Sequence, residues 1–151
     1  MKKLLFTISL FTASFLFSQK VVGLKIQNDN RKESTVELDK DKIALYNEKY
    51  FAFIQALKTS ADRATIDGLL SEKVKTLVTD KVLQKLKDGI QLEKKAEVFK
   101  SGHQTLMDGV SYPFIQYKYS DDKSPLPKDL ITVLFEEDGR IIGVKPLEKN
   151  K

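Results

Sequence analysis

The spacing of hydrophobic positions changes once along the chain, and the change separates two halves. Ile43, Tyr46, Tyr50, Phe53, Ile54 and Leu57 recur at steps of three and four, the spacing of one helix face. Asp39 stands where an N-cap belongs, and Asp41 adds negative charge near the positive helix end, so the pattern predicts a helix from Asp39 to about Thr59. Ser60 or Thr65 opens a short second helix through Ile66, Leu69 and Leu70, weakened by Gly68. After Ser71, a stripe of Val74, Leu77, Val78, Val82 and Leu86 predicts a third helix, with Gly89 at the position of a C-terminal cap.

Beyond Gly89 the period falls from about 3.6 to 2, the alternation of strands. A weak strand within Glu93–Thr105 carries Ala96, Val98 and Phe99, and a stronger one over Val110–Tyr119 alternates Ile115, Tyr117 and Tyr119 against Phe114, Gln116 and Lys118. Asp108-Gly109 between them tolerates the positive φ of a tight hairpin. Leu130–Glu136 sets Ile131, Val133 and Phe135 on one face. Asp138-Gly139 then turns the chain into Ile141, Ile142 and Val144, and Pro146 is expected to end the ladder. Pro125 and Pro127 keep the preceding connection extended and irregular. Helices first and antiparallel strands afterwards predict an α+β domain, with N-terminal helices packed on one face of a curved four-stranded antiparallel sheet.

The first residues follow neither pattern. Lys2 and Lys3 precede an apolar run, Leu4 to Phe17, broken only by Thr and Ser, with small Ser18 before Gln19, which is the order of a cleavable export signal. The run is shorter than the roughly 20 residues that span a bilayer, so no membrane span is expected after cleavage. The chain has no Cys, the residue a lipoprotein anchor would modify. The expected organisation is a signal peptide over 1–18, an N-terminal arm over 19–38 and a single α+β domain over 39–151, acting in the periplasm or outside the cell. Within the arm, Val21, Val22, Leu24 and Ile26 suit one short strand, followed by a polar, charged stretch from Gln27 to Thr35. The arm reads as loosely held, with a docking strand as the alternative.

Removing 18 of the 151 residues leaves 133, enough for one domain that buries roughly two thirds of its unfolded surface. Without cysteine there are no disulfide staples, so the core alone must hold the fold. Losing Lys2 and Lys3 takes the 26 basic residues to 24 against 21 acidic, a formal charge of +3, too balanced to suggest nucleic acid as a partner.

Candidate chemistry is sparse. His103, the sole imidazole, lies between Gly102 and Gln104 with no carboxylate close in sequence, a setting of solvated histidines more than of acid/base catalysts. Asp108 is already explained by its turn. Asp121-Asp122 and Glu136-Glu137-Asp138 lack the alternating spacing of a calcium loop and read as solvated turns, so neither metal nor cofactor is expected. No serine has nucleophile-elbow glycines around it, and no glycine-rich phosphate loop occurs. Lys73, Lys75, Lys81, Lys85 and Lys87 flank the third apolar stripe, which fits a solvated helix face better than a lipid-binding one. The aromatic residues remain: Tyr46, Tyr50 and Phe53 on the long helix, and Tyr112, Phe114, Tyr117 and Tyr119 on one strand, are the candidate ligand or partner contacts.

The order of helix, short helix, helix and four strands, with the ending Leu130-Ile-Thr-Val-Leu-Phe-Glu-Glu-Asp-Gly-Arg-Ile-Ile-Gly-Val144, resembles the nuclear transport factor 2-like superfamily, a cystatin-like α+β fold, and its exported bacterial members in particular. The likeness covers roughly Asp39 to Leu147. It implies a cone-shaped pocket between the long helix and the concave sheet, where relatives hold small ligands or do chemistry, and a sheet that commonly dimerises. The expected function is an exported, non-catalytic binding or interaction domain that holds an apolar small molecule in the cone or pairs through its sheet with a protein, a second copy included. One alternative is an enzyme of the isomerase or hydratase type using His103 or a buried Asp. Another is a secreted inhibitor presenting its hairpin loops, which would expose an apolar patch at the Asp108 or Asp138 turn.

Overall fold

The computed structural model describes residues 37–148; the export signal expected over 1–18 and almost all of the arm expected over 19–38 lie outside the described residues. The element order is α1 Lys40–Lys58, α2 Arg63–Leu69, α3 Glu72–Lys75, α4 Asp80–Gly89, β1 Ala96–Thr105, β2 Ser111–Tyr119, β3 Asp129–Phe135 and β4 Ile141–Glu148. The strands form one antiparallel sheet in the order β1-β2-β3-β4. This is an α+β architecture with several helices and a four-stranded antiparallel sheet.

Asp39 caps α1 as its sequence position implies, its carboxylate accepting the Lys42 N–H at 2.8 Å. The helix closes through Ser60, whose φ of 53° turns the chain left-handed. The Ser60 N–H then reaches the Leu57 carbonyl and the Ala61 N–H that of Ala56, a closure usually assigned to glycine. Ser60 therefore ends the first helix instead of opening the second. Asp62 opens α2, accepting the Thr65 N–H at 2.8 Å.

The single third helix expected after Ser71 is two helices. Ser71 caps α3, and Thr79 caps α4, with Asp80 in its first turn. The Arg63 guanidinium reaches across to donate to the carbonyls of Lys75 and Val78, satisfying acceptors that the break leaves open. Gly89 is not a left-handed cap but the last residue of α4. A Cβ there would lie 3.2 Å from Pro146 Cγ, so the missing side chain lets the helix end approach the sheet. Pro146 does not end the ladder either: it stands opposite Ile131, and β4 continues to Glu148. An edge strand tolerates proline because one side of its backbone has no strand partner to lose.

Both hairpin turns are as expected, with Gly109 at φ 77° and Gly139 at φ 90°. The main core joins Tyr46, Tyr50, Phe53 and Leu57 of α1 to the sheet face carrying Ile115, Tyr117, Ile131, Val133 and Phe135. A smaller cluster of Tyr112, Phe114, Leu134 and Ile142 covers the other face.

Candidate functional site

The space between α1 and the sheet is filled along its centre. Tyr50 and Tyr117 stack with ring centroids 4.1 Å apart, and Tyr46 and Phe135 stack at 4.7 Å. All four side chains are buried. Tyr117 donates to Asn47 Oδ1 at 2.8 Å. Burial drives the phenols of Tyr50 and Tyr117 far above the ordinary tyrosine range, because the charged form has no solvation there. The hollow expected between long helix and sheet is therefore closed at its middle by aromatic packing. Tyr46, Tyr50 and Tyr117 are core residues, with only the edge of Tyr50 reaching a cleft.

That cleft is the open end of the same helix–sheet space. It has a volume of about 410 Å³ and lies between the C-terminal half of α1, the 90–95 connection and the start of the sheet. Tyr50, Ile54, Ile90, Tyr119 and Ile131 make an apolar floor, with half-exposed Phe51 at the lip. The N–H of Gln91 donates to the Tyr119 hydroxyl at 2.8 Å, tying the connection to the sheet so that the cleft keeps its wall. Lys58, Lys94 and Lys95 stand around the rim. Lys58 pairs with Glu93 at 2.5 Å and Lys94 with Asp121 at 2.7 Å, and that hydrogen-bonded carboxylate raises the Lys94 ammonium above its usual value. Lys94 also lies 5.6 Å from the centre of the Tyr119 ring. Burial pushes the Tyr119 phenol upward, so it stays neutral at any physiological pH.

A second apolar cleft, of about 380 Å³, runs between α3, α4 and β4. Phe53 is at its floor, Val74, Val82 and Leu86 form the helical wall, and Ile142 and Val144 the strand wall. Leu77 is 50% exposed beside it.

The remaining candidates fall elsewhere. Tyr112 and Phe114 lie on the opposite sheet face from Tyr117 and Tyr119, so the strand's aromatic group is two groups. His103 is on β1 opposite Pro113, part-exposed, and lines neither cleft. Asp108 serves its turn: its carboxylate accepts the Val110 N–H and the Tyr112 hydroxyl, both at 2.9 Å, and these bonds lower its pKa. Glu136 is not a solvated turn residue. Its side chain is only 17% exposed, accepts from the Ser71 hydroxyl at 2.7 Å, and pairs with Arg140 at 3.2 Å and Lys73 at 3.4 Å. Among the described residues no group of three or more His, Asp or Glu could hold a metal ion, and no helix is long and apolar enough to cross a membrane.

Sequence reading missed Ile90, Lys94 and Lys95 as cleft residues, because they belong to a connection with no periodic pattern. Ile54 and Lys58 stand four residues apart on one helix face, but Ile54 is already explained by the core stripe and Lys58 lies outside it. Set against known proteins, the chain matches no family model, no curated protein and no solved structure.

Proposed function

We propose that this chain is an exported, non-catalytic binding domain of the nuclear transport factor 2-like, cystatin-like kind, and that it holds an apolar ligand with an anionic end in the cleft at the mouth of the helix–sheet space. The observation that carries this reading is the pairing of an apolar floor with a lysine rim. Tyr50, Ile54, Ile90 and Ile131 offer area to a hydrocarbon, while Lys58, Lys94 and Lys95 stand where a carboxylate or sulfonate would emerge. A volume of about 410 Å³ falls in the lower part of the roughly 300–1,000 Å³ range of small-molecule sites. Binding is favoured over acid/base catalysis because the shifted groups at this cleft, Tyr50, Tyr119 and Lys94, are all raised further above pH 7, so they stay protonated there and offer no general base.

Calorimetric titration with decanoate and with decanol tests the reading. Decanoate should bind about tenfold more tightly than the alcohol, and the double variant Lys94→Glu, Lys95→Glu should abolish that preference. Equal affinities for acid and alcohol, unchanged by the variant, would refute the anionic end.

A second reading, the secreted inhibitor, draws on the β1–β2 turn, where Met107 and Val110 are exposed on either side of Asp108. Under it, Met107→Ser would lower inhibition of a target protease; no inhibition of any enzyme in a broad protease panel would rule it out.

A further inference from the structure

The cleft beside β4 is an apolar groove along a sheet edge. We infer that Val21–Ile26 docks into this groove as an added strand along β4. Pairing on this edge has already begun: the Ser71 N–H donates to the Ile141 carbonyl at 2.8 Å, and Leu70 bridges Ile141 in parallel. Past Ile141, no strand among the described residues pairs with the outer side of β4. An antiparallel strand turns alternate backbones outward. Pro146, having no N–H, is accommodated at an outward position, so Val144, two residues earlier, presents its own N–H and carbonyl on the groove side.

An unpaired edge flanked by apolar side chains is a template for one more strand. In an extended Val21–Ile26, Val22, Leu24 and Ile26 share a face by their spacing of two. That face would meet Val82, Leu86 and Val144, and the backbone would meet β4.

The tether is long enough and starts in the right place. The described chain begins at the N-terminus of α1, which is fixed to the β3–β4 turn by Lys42 and Glu137 at 2.8 Å. β4 starts just past that turn. Gln27–Val36, ten residues, separate Ile26 from Glu37 and can span up to about 35 Å. The eight residues of β4 extend roughly 26 Å. Holding the segment on such a tether gives it an effective concentration in the millimolar range, which no untethered peptide or second copy reaches at micromolar protein.

The chain contains no cysteine, so crosslinking tests the docking cleanly. Leu24→Cys would be combined with Leu77→Cys beside the groove, or with Met107→Cys on the β1–β2 turn as the control, in the full chain at micromolar concentration. Both partner positions are exposed, so neither substitution threatens the core. The groove pair should close an intramolecular disulfide at least tenfold faster than the control, independently of protein concentration. In the otherwise unaltered chain, Leu24→Asp should speed hydrogen exchange at the Val144 amide by tenfold or more. Equal closure rates for the two pairs, or Val144 exchange unmoved by Leu24→Asp, would overturn the inference. So would a crosslink found only in dimers, which would give the groove to a second copy. An apolar dye that fills the groove equally in wild type and Leu24→Asp would overturn it as well.

Discussion

A tyrosine pressed between a helix and a sheet has its hydroxyl where ionisation is unfavourable, and this ties stability to alkaline pH. Unfolded tyrosine ionises near pH 10, whereas burial holds Tyr50 and Tyr117 protonated well beyond that. Above about pH 10 the unfolded chain releases protons that the folded chain keeps, so this stability is fully present below pH 10 and is lost as pH rises further. Thermal midpoints should therefore be flat from pH 7 to about 9 and then fall, and Tyr50→Phe should reduce the alkaline slope by one proton's worth. Identical slopes in calorimetry of wild type and variant would mean that Tyr50 ionises freely in the fold. Ser71 is the second informative residue, since its hydroxyl both caps α3 and donates to half-buried Glu136. Ser71→Ala should destabilise the protein by about 1–3 kcal/mol in urea unfolding at pH 7. The cap was legible locally, but Glu136 lies 65 residues away within an acidic run, and nothing in that run separates a tied carboxylate from a solvated one.

Between elements, the two hairpin glycines differ in a way the sequence does not show. Both have positive φ, but a Cβ at Gly109 would meet nothing within 4 Å, whereas one at Gly139 would lie 3.0 Å from Lys49 Cγ and 3.2 Å from Leu45 Cγ on α1. Gly109→Ala should thus cost about 1–2 kcal/mol for its backbone conformation alone. Gly139→Ala should cost about 1 kcal/mol more, because α1 must also give way. Denaturant midpoints of the two variants check the order. The change of period after Gly89 made the helical and sheet halves readable. The split between α3 and α4 was not, because Val74, Leu77, Val78 and Val82 stay in helical phase across it, while Thr79 and Asp80 restart the helix and Arg63, from α2, caps the open carbonyls. Pro146 misled for a related reason: whether proline ends a ladder depends on the strand being an edge, a property of the whole sheet.

Across the whole fold, aromatic stacking decides where space is left between α1 and the sheet. The alternation along β2 already separated Tyr112 and Phe114 from Tyr117 and Tyr119, as two faces of one strand must be separate. That Tyr50 and Tyr117 would meet ring on ring, closing the middle of the interior, depends on how α1 crosses the sheet. The cleft that remains is walled by the 90–95 connection, which owes its position to the bond between Gln91 and Tyr119. Because its lysine rim is solvent-exposed, the binding proposed for it should weaken as salt screens the rim, by several-fold between about 0.05 and 0.5 M on an order-of-magnitude scale. The most direct measurement is a decanoate titration followed through the methyl resonances of the isoleucines. Saturable shifts are expected at Ile54, Ile90 and Ile131 with Ile142 unmoved; no saturable shift, or shifts confined to Ile142 beside β4, would refute binding in this cleft.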